Sequence, residues 1–478
     1  MRLPKTTDHK EAATLPISEL SARLRTRELS PVEVTQACLA QIEDADPKLN
    51  AFITVTAELA LQQARDAEAE IRHGKWRGAL HGVPITLKDL IDTKGVRTTA
   101  GSELFKNRTP QQDAEVVRRL RAAGAVLLGK TNLHEFAYGG SSIVSYFGPV
   151  HNPWNPERIA GGSSGGAAAA VAAGLCYAAI ATDTAGSIRL PAAFCGIVGL
   201  KPTFGLVSTR GVIPLAWSYD HVGPLTRSTH DAALVLQQIA GYDDEDPNSI
   251  KLPCVDYPAS LEAQASSLRV GVPHKFFYEE LDSEVEQAMR SALSIIKTIS
   301  AGLGDVTVPV DQDYTVHTSE AFAFHAKFMD RDSHLYQPET LRRLNSGKSH
   351  TVADYIEKLR ELQTMRRAVP TSIFRDVDVI VTPTSPMLPP TIAELQQDIS
   401  QLRRKETAML RNTRPFSVLG LPAVSVPCGF SSAGLPIGMQ IIGPPAGETK
   451  VLSLACAYER RVSSSGTGRD RVEASFPV

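Results

Sequence analysis

Three serine- and glycine-rich stretches carry the residue types that chemistry would need. The first, residues 124–131, reads Gly-Ala-Val-Leu-Leu-Gly-Lys-Thr and matches the phosphate-binding Walker A pattern. A phosphate cradle requires a glycine-rich loop between a strand and a helix, with amides free to point at phosphate. Here the four residues between the glycines are apolar and typical of a strand, so their amides would bond within a sheet. This stretch therefore predicts a buried strand rather than a nucleotide site.

The second stretch, Gly-Gly-Ser-Ser-Gly at 161–165, satisfies the G-x-S-x-G pattern of the α/β-hydrolase nucleophile elbow. That elbow requires a strand immediately before the serine. Residues 152–158 contain two prolines and two asparagines and predict a loop, whereas 166–173 favour a helix that ends at a glycine. Ser163 and Ser164 are therefore predicted to lie in a glycine loop at a helix N-terminus, where unpaired amides and the helix dipole favour an oxygen anion.

The third stretch, residues 182–191, follows a predicted buried strand and reads Thr-Asp-Thr-Ala-Gly-Ser-Ile-Arg-Leu-Pro. A tight turn here presents Ser187 with consecutive backbone amides just before it, which is the geometry of a serine nucleophile beside its own oxyanion hole. Asp183 and Arg189 flank the serine and are placed to pair across the turn. Taken alone, the pattern also suits an ordinary strand–turn–helix junction.

A nucleophilic serine needs a base, and the histidines offer no motif for one. His134 lacks the second histidine of H-E-x-x-H, and an isolated residue such as His221 is typical of a structural role. Lys88 ends a predicted apolar strand over 83–87, and a desolvated lysine there would lose its proton more readily. The alternative is a strand-end lysine paired with Asp89, so the residues alone leave the base open.

The elements that must position these residues predict one large α/β domain. Residues 1–75 favour a helical segment packed on the core, with a capping box at Ser-Pro-Val-Glu 30–33. From 76 to 478 strands and helices alternate, which predicts a mixed, mostly parallel sheet covered by helices on both faces. A helical elaboration is expected at about 245–370, with strands such as 306–310 rejoining the same sheet.

Composition narrows the class of protein. Fifty basic against 52 acidic residues give a net charge of −2, which does not support a nucleic-acid partner. Six scattered cysteines without a C-x-x-C pair exclude a dense disulfide framework and the usual zinc spacings. The apolar stretch 167–181 is too short to span a membrane, and residues 1–14 show no signal peptide. A soluble, cytoplasmic protein is predicted.

The segment that ends in Lys88-Asp89, the glycine loop and the turn at Ser187 together resemble the amidase signature family. The resemblance covers about residues 18–460, and its motifs are long and occur in the expected order. The intervals of 75 residues from Lys88 to Ser163 and 24 residues from Ser163 to Ser187 are also similar to the family's spacing. The matching segments are 82–89, 161–166, 182–191, 191–203 and 420–423.

The resemblance implies roles for individual residues. Ser187 resembles the family's nucleophile, Ser163 a bridging serine held by a cis peptide bond, and Lys88 a base that acts in its neutral form. The chemistry implied is acyl transfer to water, without a metal or organic cofactor. The family's oxyanion hole would be the backbone amides of Thr184, Ala185, Gly186 and Ser187, and its supporting residues would be Ser164, Asp183 and Arg189.

Departures from the family pattern bear on the substrate. Residue 185 is alanine where many members have glycine, and residues 143–144 are Ile-Val where members often carry Glu-Asn. These apolar loops predict a small-molecule substrate that is a neutral hydrophobic or aromatic amide, with carbamates and esters also compatible. The predicted pocket residues are Phe136, Tyr138, Ile143, Val144, Phe147, Leu215 and Trp217.

Two other functions stay open. One is the glutamine-hydrolysing subunit of a tRNA amidotransferase, whose members share Gly-Thr-Tyr and Gly-Tyr-Tyr stretches. The corresponding residues 341–348 and 355–358 lack them, which favours a free-standing hydrolase. The other is a non-catalytic binding member of the fold, against which the joint presence of Lys88, Ser163 and Ser187 argues. A helical N-terminal segment would suit a homodimer.

Overall fold

Buried apolar runs become the strands of one mixed sheet in the computed structural model, which describes residues 15–263 and 265–464. Over these residues the main sheet has eleven strands, in the order β1-β3-β2-β6-β8-β7-β12-β13-β11-β9-β10, and β4 and β5 form a separate hairpin. Residues 1–14, on which the signal-peptide prediction rests, lie outside the described residues. The strands are β1 (Phe52–Val55), β2 (Pro84–Lys88), β3 (Val126–Thr131), β4 (His151–Asn152), β5 (Asn155–Ile159), β6 (Ala178–Asp183), β7 (Val198–Lys201), β8 (His221–Thr226), β9 (Arg269–Val272), β10 (Gly302–Asp305), β11 (Val379–Pro383), β12 (Ala423–Phe430) and β13 (Pro436–Ile442).

Helices flank this sheet, as the alternation of strands and helices predicts. One of them, the alanine-rich helix after the glycine loop, is completely buried and packs against β6. The α-helices are α1 (Ile17–Thr26), α2 (Pro31–Leu49), α3 (Ala57–Arg72), α4 (Glu115–Ala122), α5 (Gly165–Ala172), α6 (Arg189–Cys195), α7 (Thr229–Ile239), α8 (Tyr257–Ser260), α9 (His274–Phe277), α10 (Ser283–Ile299), α11 (Thr315–Asp332), α12 (Pro338–Ser346), α13 (Val352–Ser372), α14 (Ile392–Gln396), α15 (Leu402–Met409), α16 (Arg414–Val418) and α17 (Glu448–Ser464).

The sheet is mixed, as predicted, but parallel pairing is less common than expected. Among the described residues, four of its ten strand pairings are parallel and six are antiparallel. The parallel pairings form two groups, β3-β2-β6 and β11-β9-β10. The antiparallel centre between them includes β7 and β8, which no continuous apolar run predicts because Gly199, Gly223 and Pro224 interrupt them.

The N-terminal segment contains a strand as well as the predicted helices. The Ser30 hydroxyl caps α2 by accepting from the amides of Val32 at 3.1 Å and Glu33 at 3.4 Å, and it donates to Glu68 at 2.6 Å. After α2 the chain forms β1, which pairs antiparallel with β3 at one edge of the sheet. The described part of this segment is therefore joined to the core by backbone hydrogen bonds as well as by packing.

The region 245–370 supplies long helices and two strands of the sheet. The strand expected at 306–310 forms earlier, as β10, which lies parallel to β9 at the far edge. The predicted range contains Pro309, which has no amide hydrogen to donate to a strand ladder. Side chains of α11, α12 and α13 form hydrogen bonds with the backbone of Tyr138 and Ser218, in segments that precede and follow the serine-rich stretches.

Neither a membrane-spanning helix nor a metal-binding cluster occurs in the described part of the chain. No helix in residues 15–263 or 265–464 is long and apolar enough to cross a membrane. Within the same ranges, no three histidine, cysteine, aspartate or glutamate side chains are arranged to hold a metal ion.

Candidate active site

Lys88 lies at the carboxyl end of β2, between β3 and β6. Because β2 and β6 are parallel, the end of β6 lies at the same edge of the sheet. The Lys88 Nζ donates hydrogen bonds to Ser163 Oγ at 2.7 Å and to Thr182 Oγ1 at 2.9 Å. Ser164 Oγ in turn donates to the carbonyl of Thr182 at 3.2 Å. Segments 82–89, 161–166 and 182–191 therefore meet at one place.

Burial dominates the electrostatics of Lys88. The side chain is completely buried, and desolvation lowers its pKa from 10.5 to about 7, although the negative charges of Asp220 and Asp183 act in the opposite direction. A large share of Lys88 is therefore neutral near pH 7. A neutral amine in contact with a serine hydroxyl can accept a proton.

Asp89 has a different partner from the one that the sequence left open. Among the described residues its ion-pair partner is Lys130, whose Nζ lies 3.7 Å from Asp89 Oδ1. The carboxylate also accepts from the Thr99 amide at 2.8 Å and the Thr99 hydroxyl at 2.5 Å. Lys130 belongs to the Walker-like stretch. This stretch forms the buried strand β3, so the prediction of a strand rather than a nucleotide site at this motif is confirmed.

Ser142 leaves no room for a side chain at two positions of the glycine loop. The peptide bond between Gly162 and Ser163 is cis, as the family resemblance implies. Ser142 Oγ donates to the Ser163 carbonyl at 3.2 Å and accepts from the Gly165 amide at 3.2 Å. A Cβ on Gly162 would lie 2.8 Å from the Ser142 Oγ, and one on Gly165 2.6 Å from the same atom. Larger residues at either position would displace the hydroxyl that holds the Ser163 backbone.

The segment before Ser163 is more regular than predicted. In place of a loop, β4 and β5 form a short antiparallel hairpin. The hairpin stands apart from the main sheet, and residues 160–162 separate it from Ser163. The nucleophile elbow is therefore absent at Ser163, as predicted, but for a different structural reason.

Ser187 lies four residues after the end of β6 and is 5% exposed. Gly186, directly before it, has φ +140°, where a side chain would collide with Thr413 and Leu410. Thr413 Oγ1 donates to the Ala185 carbonyl at 2.7 Å. Thr413 and Leu410, which are distant in sequence, thus hold the backbone of Ala185 and Gly186 directly before Ser187.

The predicted pair of Asp183 and Arg189 forms across the turn. Arg189 Nε and Nη2 bind the two oxygens of Asp183, each at 3.0 Å, and both side chains are completely buried. Burial by itself would raise the pKa of Asp183, but the guanidinium holds it well below its ordinary value. Ser417 and Gln440 complete the arrangement, with 2.6 Å from Arg189 Nη2 to Ser417 Oγ and 2.8 Å from Nη1 to Gln440 Oε1.

Several residues of this arrangement were missed from the sequence. Thr182 lies within a predicted stretch, and the parallel register of β2 and β6 is the signal that would have placed it beside Lys88. Thr413, Ser417 and Gln440 are more than 200 residues from Ser187 and carry no motif. Only the folded chain brings them to the turn.

The predicted pocket residues occupy different environments. Ile143 and Val144 share an apolar cluster with Leu190, three residues after Ser187. Phe136 and Tyr138 are buried under α11, where they contact His325 and His317 respectively. Phe147 packs at 5.6 Å from the Arg97 guanidinium. Leu215 is buried, whereas Trp217 is 44% exposed and lines a cavity of about 270 Å³ with Asp220.

Leu410 lines a second cavity, of about 330 Å³, and also packs against the serine turn. A Cβ on Gly186 would lie 2.8 Å from Leu410 Cδ2, and one on Gly140 3.0 Å from Leu410 Cδ1. Leu410 therefore separates this cavity from the turn. The other walls combine aromatic and basic side chains, including Phe276, Tyr314, Arg411 and Arg414.

Comparison with known proteins gives consistent matches over nearly the whole chain. The family model described as Amidase matches residues 33–452. The A subunit of glutamyl-tRNA(Gln) amidotransferase from Geobacter sp. (strain M21) is 41% identical over 478 residues, covering 94% of this chain and 98% of that protein.

Solved structures show the same likeness. One, described as a vestigial protein complex that reveals the evolutionary origins of an s-triazine catabolic enzyme, has a TM-score of 0.86 and 32% identity, covering 95% of this chain and 99% of that chain. The native peptide amidase from Stenotrophomonas maltophilia has a TM-score of 0.80 and 32% identity, covering 94% and 97%.

Proposed function

Because this chain belongs to the amidase family, we propose that it hydrolyses the C–N bond of an amide through an acyl-enzyme on Ser187. The observation that carries the proposal is the 2.7 Å hydrogen bond between Lys88 Nζ and Ser163 Oγ. A buried amine with a pKa of about 7 is suited to proton transfer at neutral pH. Lys88 and Ser163 therefore form a relay that serves Ser187.

The reaction proceeds in two halves. As Ser187 Oγ bonds to the carbonyl carbon, its proton passes to Ser163, and the Ser163 proton passes to neutral Lys88. The amides of residues 184–187 stabilise the oxyanion. The proton then returns through Ser163 to the leaving nitrogen, and the C–N bond breaks. Water next attacks the Ser187 ester through the same relay, which releases the acid and restores both hydroxyls.

Asp183 and Arg189 hold the turn in place during this cycle. Their paired, buried charges bridge the two ends of the turn, and the Asp183 carboxylate also accepts from the Ile188 amide at 3.2 Å. Neither group has to change its protonation state. Ser164 supports the other side through its bond to the Thr182 carbonyl.

The relatives support an amidotransferase component better than the free-standing hydrolase that the missing sequence motifs favour. Proteins named as the A subunit of glutamyl-tRNA(Gln) amidotransferase recur among sequences 38–41% identical to this chain. In that setting the amide would be glutamine. Protein partners would then join the predicted small-molecule substrate.

A free-standing hydrolase of apolar amides is the second candidate. Apolar residues near the serine turn favour it, since Leu410 contacts Gly186 and Gly140, and Ile143 and Val144 cluster with Leu190. The missing Gly-Thr-Tyr and Gly-Tyr-Tyr stretches favour it as well. Proteins of known structure with similar folds include a peptide amidase, so the fold is compatible with both candidates.

Covalent labelling tests the shared chemistry without knowledge of the substrate. A fluorophosphonate probe should label Ser187 in the native chain, and Ser187→Ala should abolish the labelling. Labelling of Ser163 instead would assign the nucleophile to the glycine loop. A folded native chain that does not label at all would indicate a non-catalytic binding member.

Hydrolysis assays separate the two candidates. The purified chain is offered glutamine, alone and with the partner proteins of a related amidotransferase, and a panel of anilides, primary amides, carbamates and p-nitrophenyl esters. Glutamine hydrolysis that depends on the partners supports the amidotransferase component. Turnover of apolar amides by the chain alone supports the free-standing hydrolase. Lys88→Ala serves as the control in every assay.

A further inference from the structure

We infer that Asp220, which no sequence motif identified, is a positioning residue that holds the oxyanion turn through the hydroxyl of Thr184. This inference rests on the proposed role of Ser187. We do not assign Asp220 a contact with the substrate. It acts through the Thr184 hydroxyl and the backbone amides that it binds. Two effects follow from its place in the fold, one on the geometry of the turn and one on the charge around Lys88.

The fold places Asp220 opposite the turn. It directly precedes β8, which pairs antiparallel with β6 so that His221 lies opposite Asp183. Thr184, the first residue of the turn, donates from Oγ1 to Asp220 Oδ1 at 2.6 Å. Because β6 and β8 are hydrogen-bonded along their whole length, this contact is anchored by the sheet.

The second oxygen of Asp220 holds another segment. Asp220 Oδ2 accepts from the amides of Leu215 at 2.9 Å and Ala216 at 3.1 Å. One carboxylate therefore joins the oxyanion turn to the loop that carries Leu215 and Trp217, and both Asp220 and Trp217 line the cavity of about 270 Å³. Loss of this carboxylate would free both segments at once.

The charge of Asp220 is buried and lacks a cationic partner. The residue is 6% exposed, and the described residues place no lysine, arginine or histidine nitrogen within 4.0 Å of its carboxylate. Asp183, the other carboxylate that acts on Lys88, is already paired with Arg189. Burial raises the pKa of Asp220 to about 6, with a smaller contribution from the Glu320 carboxylate, so Asp220 is still largely ionised near pH 7. Of the two carboxylates that raise the pKa of Lys88, Asp220 is therefore the one without an ion-pair partner among the described residues.

Removal of the Asp220 charge should lower the pKa of Lys88. Asp220 and Asp183 both raise the pKa of Lys88 against the larger effect of burial. If Asp220 is neutral, the pKa of Lys88 falls, and neutral Lys88 persists to lower pH. The rise of activity with pH would therefore shift to lower pH, which a merely structural residue would not produce.

The experiment measures the rate of fluorophosphonate labelling of Ser187 against pH. Asp220→Asn keeps the shape of the side chain but removes its charge and one acceptor. We expect labelling roughly 10- to 100-fold slower, since hydrogen bonds to a charged group contribute about 1.5–3 kcal/mol, with the pH midpoint shifted to lower pH. Thr184→Val removes the hydroxyl that helps to keep Asp220 ionised, so it should slow labelling and shift the midpoint in the same direction as Asp220→Asn but by less, and Thr184→Ser should restore both.

Asp231→Asn is the matched control. Asp231 is also buried, and it accepts from the backbone amide of Ile17 at 3.0 Å, but it belongs to α7 and supports a different part of the fold. This variant should lose stability and keep both the labelling rate per folded molecule and the midpoint.

Each remaining outcome decides the inference. Native rate and midpoint in Asp220→Asn, with only a lower Tm, would overturn it, as would a native rate in Thr184→Val if Asp220→Asn does not fold. Labelling that persists in Ser187→Ala would instead refute the proposed function, so the two failures are distinguishable.

Discussion

Two buried lysines lie at or next to the ends of neighbouring strands of the sheet and differ in their hydrogen-bond partners. Lys88 ends β2, Lys130 lies one residue before the end of β3, and the two strands are parallel, with Leu87 opposite Lys130. Both side chains are completely buried, and both belong to stretches that resemble functional motifs. Lys130 has a carboxylate partner, whereas Lys88 donates to two hydroxyl groups.

The partners explain why one lysine is suited to proton transfer and the other to structure. Lys130 Nζ donates to the Ile91 carbonyl at 2.5 Å and to Thr98 Oγ1 at 2.8 Å, and its charge is balanced by Asp89. Burial lowers the pKa of Lys130 to about 8 and that of Lys88 to about 7. Since the pKa values are similar, burial alone does not distinguish the two. The contact of Lys88 with Ser163, a hydroxyl that can exchange a proton, does.

The largest expected effect separates the two lysines by activity. Lys88→Met should slow fluorophosphonate labelling of Ser187 by roughly 10²- to 10⁴-fold, the usual contribution of a general base. Stability should be retained or rise, because an apolar chain of similar length replaces a buried amine. Labelling kinetics and thermal unfolding measure the two quantities. Native labelling in this variant would show that the base lies elsewhere.

The second largest effect should be a loss of stability when Lys130, rather than Lys88, is replaced. Lys130→Met leaves Asp89 buried without its cation, which should cost about 3–5 kcal/mol of unfolding free energy. The labelling rate per folded molecule should stay within a few-fold of native. Urea unfolding and labelling under folded conditions test this. The double variant with Asp89→Asn should recover part of the stability, and loss of labelling in folded Lys130→Met would contradict the assigned difference.

The pH dependence of labelling and of stability gives a further test of the role of Lys88. Because the relay requires neutral Lys88, labelling should increase as pH rises through about 7. Unfolded lysine titrates near 10.4, so between pH 7 and about 10 the unfolded chain binds more protons at this position than the folded chain. The unfolding free energy contributed by Lys88 should therefore increase with pH across that window. Lys88→Met should abolish this contribution, which urea unfolding at pH 7, 8.5 and 10 would detect.

The smallest effects concern single hydroxyls. Thr98→Val removes one acceptor from Lys130 and should cost about 1–3 kcal/mol of stability, with native labelling. Thr182→Val removes one acceptor from Lys88 and should slow labelling by roughly tenfold. Urea unfolding and labelling of both variants give a two-by-two comparison. Equal effects of the two substitutions on labelling would remove the distinction between the lysines.

Much of the fold and of the site was accessible from local patterns. The strand of the Walker-like stretch and the helix after the glycine loop follow from apolar runs and glycine stops, because each signal lies within a few residues. Strands β7 and β8 were missed, since glycine and proline interrupt them. β8 pairs antiparallel with both β6 and β7, which makes the centre of the sheet antiparallel and brings Asp220 to the serine turn.

The order and spacing of the motifs were sufficient to identify the family, since glycine loops, strand ends and motif spacing are local properties of the chain. The hydrogen-bond and ion-pair partners of the buried groups became known from the folded chain. It assigned Asp89 to Lys130, Thr182 to Lys88 and Thr184 to Asp220. They could not be read from the sequence because pKa and hydrogen bonding depend on burial and on neighbours within a few ångströms, and these three pairs are separated by 36 to 94 residues along the chain.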